Sequence, residues 1–321
     1  MDFFSLIAMN VLSPPLICFV LGCIIGLSKY KITYPAMMGS ICTCYLLFTI
    51  GFKGGLNLSN HFCESSLFFK TSIALVVWAF IQTALSYILL KKFTKISKET
   101  RAAVAASFGS ISLLNFITAA SYLESINIPY EPFLIAILAI LEIPGIILGL
   151  ILGKKSESFS TKYWIDIVKH SLFNKACILL LGGGLCGYLL INVPHTQYIV
   201  APFQLFLCFF LFDMGQSLLA NKQNFESFNL RLILFGIYMP LLGAIAGLLL
   251  SWQIGLSLGT GLLVTVLSAS ASYIAVPCTM KIAMPKAEES IYLTLALGIA
   301  FPFNVIIGTP LYYNFASMLL T

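Results

Sequence analysis

Ten long apolar runs follow one another along the chain, near 12–28, 34–51, 71–90, 102–122, 132–152, 174–192, 198–218, 230–251, 254–278 and 290–316, parted by short polar stretches. Runs of this length predict membrane-spanning helices, since about 20 apolar residues cross a bilayer. The expected fold class is an all-α integral membrane protein of ten transmembrane helices.

Composition agrees. Of 321 residues, 59% are hydrophobic and 9% are charged, against about 25% charged in a soluble domain. With the N-terminus outside, sixteen Lys and Arg fall in inner loops and two, Lys53 and Lys70, fall outside. The positive-inside rule then places both termini outside a plasma (inner) membrane. The excess of base over acid reports topology, so no nucleic-acid partner is expected, while membrane lipid is. The start, Met1-Asp2-Phe3-Phe4, lacks the basic region of a signal peptide, and the first span is expected to be retained.

The polar stretch 153–173 reads as a cytoplasmic linker between a first five-helix repeat, 1–152, and a second, 174–321. Five is odd, so the second repeat must be inverted in the membrane. Leu47-Phe48-Thr49-Ile50-Gly51 closes the second span much as Leu211-Phe212-Asp213-Met214-Gly215 closes the seventh, and Gly22 and Gly26 correspond to Gly183 and Gly187.

Helices four and nine hold matching places in the two repeats, and small polar residues interrupt both. The fourth reads Phe108-Gly109-Ser110-Ile111-Ser112-Leu113-Leu114-Asn115, and the ninth reads Ser268-Ala269-Ser270-Ala271-Ser272-Tyr273 before Pro277. Pro277 predicts a break and pushes Val276 out of helical geometry. Broken helices that cross at the midplane offer N–H ends to anions and freed carbonyls to cations. Basic residues fall only at the ends of these runs, so Glu142, beside Pro144, points to a cation or proton. Asp213, toward the inner end of the seventh span, is a gating candidate.

Other chemistry is excluded. Eight of nine cysteines lie in apolar runs, His61, His170 and His195 fall in separate loops, and no Cys/His cluster has metal-ligand spacing. Gly182-Gly183-Gly184 lacks the Lys-Ser/Thr of a phosphate loop. No nucleophile–base pair suggests an enzyme, and no cofactor is expected beyond a coupling sodium ion.

At these residues the chain resembles the sodium-dependent bicarbonate transporters of the cyanobacterial type. The resemblance runs in order through Ser13-Pro14, Ile50-Gly51-Phe52-Lys53-Gly54-Gly55, Phe108-Gly109 with Ser112, and Leu123-Glu124-Ser125 with Ile128, Tyr130 and Glu131. It continues through Glu142-Ile143-Pro144, Met214-Gly215, Ser270 with Ser272, Pro277 and Thr279, Met284-Pro285 and Gly308-Thr309-Pro310. It implies a core domain moving against a gate domain, sodium coupling, a homotrimer and a PII-like cytoplasmic regulator. Where the family reads roughly Ser-Gly-Ser-Thr, this chain has Ser112-Leu113-Leu114-Asn115. Where it reads Ser-Ser-Ser-Asp-Ile, this chain has Ser270-Ala271-Ser272-Tyr273-Ile274.

The expected function is sodium-coupled uptake of bicarbonate, or of a similar small anion, by alternating access. Gly109, Ser110, Ser112, Asn115, Ser270, Ser272 and Tyr273 are the expected substrate groups, and Ser112, Asn115, Glu142 and Ser268 the expected cation groups. The rival readings are a same-fold carrier of another anion and a receptor that binds without transport.

Overall fold

The computed structural model describes residues 12–28, 32, 37–61, 65–153, 175–193, 196–220, 229–273 and 275–320. The linker expected at 153–173 lies outside them except for Gly153, as do the first eleven residues, Cys63, His170 and His195.

Among the described residues every regular element is helical: α1 (Pro14–Leu27), α2 (Met37–His61), α3 (Ser65–Phe93), α4 (Lys98–Phe108), α5 (Leu113–Ser125), α6 (Leu134–Gly153), α7 (Lys175–Leu189), α8 (Gln197–Val200), α9 (Phe203–Ala220), α10 (Leu230–Ile254), α11 (Leu258–Ser268), α12 (Ala275–Ala283) and α13 (Glu289–Leu319). Among the described residues seven spans are long and apolar enough to cross a membrane, α4 and α5 counting together as one. Three shorter apolar helices, Pro14–Leu27, Ile178–Leu189 and Leu258–Ser268, accompany them.

Local chemistry sets the ends. Pro14 opens α1, where its missing N–H is no loss, and the hydroxyl of Ser28 closes it by donating to the Ile25 carbonyl at 2.8 Å. Gly255, at φ 79°, ends α10 in the left-handed conformation that glycine tolerates. Two ends differ from the sequence reading. The second helix does not close at Gly51 but runs on to His61, so Lys53 is helical, with its ammonium 4.5 Å from the centre of the Phe203 ring. Lys70 likewise lies on α3, so both bases expected in outer loops lie on long apolar helices.

The chain divides into two compact units, each drawn from both halves of the sequence. The first comprises residues 1–64 and 175–223, the second 65–174 and 224–321.

In the first unit, glycines bring backbones into direct contact. Gly22 and Gly26 of α1 face the Phe212 and Gln216 carbonyls of α9, and Gly215 of α9 faces the Phe19 carbonyl in return. Gly51 and Gly55 of α2 face the Leu180 and Gly184 carbonyls of α7, while Gly183 and Gly187 face those of Phe48 and Phe52. A Cβ at any of these positions would overlap a carbonyl oxygen, which is why small residues are required at such membrane contacts.

In the second unit, α4 and α11 are interrupted helices of equal length, eleven residues each. At 1.5 Å per residue each rises roughly 16 Å, about half the hydrocarbon thickness. Their starts share one construction. Ser97 precedes α4 and donates from its hydroxyl to Thr100 Oγ1 at 2.8 Å, and Ser257 precedes α11 and does the same to Thr260 Oγ1 at 2.9 Å. Each threonine oxygen then accepts a loop N–H, that of Glu288 at 3.0 Å and that of Glu131 at 2.9 Å.

Candidate functional site

The site lies where the two interruptions meet inside the second unit. After Phe108 the chain leaves the helix through Gly109, Ser110, Ile111 and Ser112, and α5 begins at Leu113. After Ser268 it passes through Ala269 to Tyr273, and α12 begins at Ala275. Pro277 therefore sits in the first turn of α12 and does not break it, and Val276 stays helical, contrary to the expectation from sequence. A first-turn proline needs no N–H, so the interruption falls on the serines ahead of it. Pro144 also lies within a continuous helix, α6.

Each break holds the other. The Ser112 N–H donates to Ser270 Oγ at 2.9 Å, and the Ser272 N–H donates to the Ser107 carbonyl at 2.8 Å. The hydroxyl of Ser270 donates onward to the Leu267 carbonyl at 2.8 Å, and that of Ser112 accepts the Asn115 N–H at 3.3 Å, capping α5. The N-terminal ends of α5 and α12 and the C-terminal ends of α4 and α11 thus converge, bringing partial positive and partial negative charge to one place.

Neighbouring helices fix the breaks by close approach. A Cβ on Gly145 of α6 would lie 2.5 Å from the Gly109 carbonyl carbon, and one on Gly243 of α10 would overlap the Ser268 carbonyl. The hydroxyl of Ser110 donates to the Glu142 carbonyl at 3.1 Å. The last helix contributes too: α13 widens into π-helical turns at Thr294–Ala300 and Asn304–Gly308. The Asn304 amide there donates to the Ala269 carbonyl at 2.8 Å while its Oδ1 accepts from Tyr312 at 2.9 Å.

The structure brings together most of the residues expected from sequence. Ser110, Ser112, Asn115, Ser268, Ser270, Ser272, Tyr273 and Glu142 are all buried in this unit. Asn115 Oδ1, Ser268 Oγ and the Tyr273 hydroxyl have no hydrogen-bond partner among the described residues. The Tyr273 hydroxyl comes near Ser112 without forming a well-shaped bond, and its ring meets Phe301 edge-on with centroids 6.0 Å apart. Asp213 belongs to the first unit and is half-buried there, where its carboxylate lies against Gly39 in the first turn of α2 and borders a cavity of about 420 Å³. Among the described residues no group of three His, Cys, Asp or Glu could hold a metal ion.

Sequence reasoning missed Asn304, a lone polar residue in an apolar stretch, and Tyr312, which the sequence does not set apart from Tyr313 and Asn314 beside it. It also missed the Ser-x-x-Thr pairs at 97–100 and 257–260, whose constant spacing of 160 residues was visible.

Two interrupted helices, buried polar groups at their meeting point and a chain of long apolar helices define a multi-pass membrane transporter. The Na+-dependent bicarbonate transporter superfamily matches residues 14–317, and the chain belongs to that family. No curated protein shows a significant match to the chain.

Proposed function

We propose that the protein is a secondary transporter that couples bicarbonate uptake to sodium by alternating access. In this reading ten spans form two inverted five-helix repeats whose fourth and ninth helices are broken and crossed, with both termini outside. The observation that carries it is the mutual hold of the breaks, Ser112 on Ser270 and Ser272 on Ser107, beside three buried polar atoms without partners among the described residues.

Repetition within each unit supports the inverted architecture. The glycine contacts of α1 with α9 repeat in α2 with α7, and the Ser97–Thr100 start of α4 repeats in the Ser257–Thr260 start of α11. The helix N-termini at Ser112 and Ala275, with Gly109, Ser110, Ser270, Ser272 and Tyr273, would receive the anion. Asn115 Oδ1, Ser268, Ser112 and Glu142 would hold sodium, and Asp213 would act in gating. Resemblance to the family supports a homotrimer and a PII-like regulator.

Uptake of labelled bicarbonate into proteoliposomes, with and without an inward sodium gradient, tests the reading. Uptake that needs the gradient supports it. Uptake indifferent to sodium removes the coupling, competition by another anion at lower concentration reassigns the substrate, and binding without counterflow leaves a receptor.

A further inference from the structure

The face of α3 that meets the first break carries polar atoms the mechanism above does not use. Gly109 is pressed onto α3 at the Ala79 carbonyl and the Thr83 side chain, so the helix and the break share a backbone contact. Beside it lies a cavity of about 10 Å³ bordered by Leu75, Trp78, Gln82, Ser110, Leu141 and Ser268. That volume admits about one water-sized atom.

Three of these residues present buried polar atoms with no partner among the described residues: Trp78 Nε1, Gln82 Nε2 and Ser268 Oγ. Gln82 and Ser268 are each 3% exposed. An indole N–H and an amide NH2 only donate, and a hydroxyl can donate. Trp78 Nε1 and Gln82 Nε2 therefore favour an oxygen lone pair over a cation, while the Ser268 hydroxyl can donate its hydrogen and still offer its oxygen to sodium. Leaving such groups unpaired in the membrane interior is costly, so they point to an occupant. The same helix carries further buried hydroxyls without partners among the described residues at Thr71, Ser72 and Ser86, so the polar character belongs to α3 as a whole.

We propose that Trp78, Gln82 and Ser268 form a notch that seats one oxygen of a small oxyanion of the carbonate or carboxylate type, the rest of the anion lying toward the breaks. The notch rests on the transport reading above and adds α3 to the substrate site. Its size explains why a single oxygen, and not a whole anion, enters.

The test is labelled bicarbonate uptake at saturating sodium by the wild type and by Gln82→Leu, Trp78→Phe and Ser268→Ala in proteoliposomes. Each loss of one donor should raise the apparent KM for bicarbonate about two- to twelvefold, with the half-saturating sodium concentration unchanged for Gln82→Leu and Trp78→Phe. Gln82→Glu sets a carboxylate against the anion and should abolish uptake, while thermal unfolding shows the protein still folded. An unchanged KM in both Gln82→Leu and Trp78→Phe would overturn the notch and leave it to an ordered water. A shift in sodium dependence in place of KM would overturn it as well.

A wild type that transports no bicarbonate defeats the transport reading, and ligand protection then tests the notch separately. Bicarbonate, formate and nitrate should raise the unfolding temperature of the detergent-purified wild type and not that of Gln82→Leu. Equal protection of both overturns the notch, and Trp78→Phe replaces Gln82→Leu in this comparison should the latter not fold.

Discussion

The backbone N–H of Ser112 donates to the side chain of Ser270 at 2.9 Å, so a residue of the ninth segment completes the start of a helix in the fourth. Ser270→Ala removes that acceptor and leaves the N–H unpaired in a buried setting, at a cost of about 1–3 kcal/mol. The unfolding temperature in detergent should fall by several degrees, and uptake should fall with it. Ser270→Thr keeps the hydroxyl and should restore most of both.

Gly145→Ala and Gly243→Ala should act alike, although they lie on different helices. Each sets a methyl group against a backbone carbonyl of a break, Gly109 in one case and Ser268 in the other. Backbone cannot move aside as a flexible side chain can, so overpacking of roughly 1–3 kcal/mol is expected. Thermal unfolding checks the size, and Gly182→Ala, with no atom near its added Cβ, is the control that should change little.

Tyr312→Phe tests the strut from the last helix. The Asn304 amide holds the Ala269 carbonyl only in the orientation that the Tyr312 hydroxyl supports. Losing the hydroxyl strands Asn304 Oδ1 and should cost about 1–3 kcal/mol. Asn304→Leu removes both bonds and should cost more than Tyr312→Phe in the same measurement.

Glu142→Gln keeps the size of a side chain only 3% exposed and removes its charge. A carboxylate inside a membrane protein is retained for a partner or a task. The half-saturating sodium concentration for uptake should rise while expression and unfolding temperature hold. An unchanged sodium dependence would leave Glu142 a structural residue.

Tyr273→Phe separates binding from packing. The hydroxyl has no hydrogen-bond partner among the described residues, so its removal should not lower the unfolding temperature. If the phenol donates to the anion, the apparent KM rises about two- to twelvefold. A KM equal to the wild type would make Tyr273 a spacer against Phe301.

The interruption at Gly109–Ser112 was legible because Gly109, Ser110 and Ser112, three small or polar residues within four positions of an apolar run, have no other economical explanation. Pro277 misled, because the rule that proline ends helices is silent on which side of it the chain straightens, and here a new helix begins. The helix ends at His61 and Ser65 were misjudged because polar residues such as Lys53 and Lys70 lower hydropathy without breaking hydrogen bonds. The interleaving of the two units was not legible at all. It depends on glycine contacts between distant segments, and spacing along one helix does not say which other helix it meets.

Those glycine contacts also set an order of assembly. Gly22 meets Phe212, 190 residues further on, and Gly51 meets Leu180. A nascent chain that has just delivered α1 and α2 to the membrane therefore holds them without their partners while α3 to α6 are synthesised. Closure of the first unit waits for α7 and α9, so a chain stopped at the linker would expose bare carbonyl-lined grooves to lipid. Long-range pairing of this kind slows folding and lengthens exposure to misassembly. The first half of this protein is thus the stretch that most needs shelter from the insertion machinery, although it is made first.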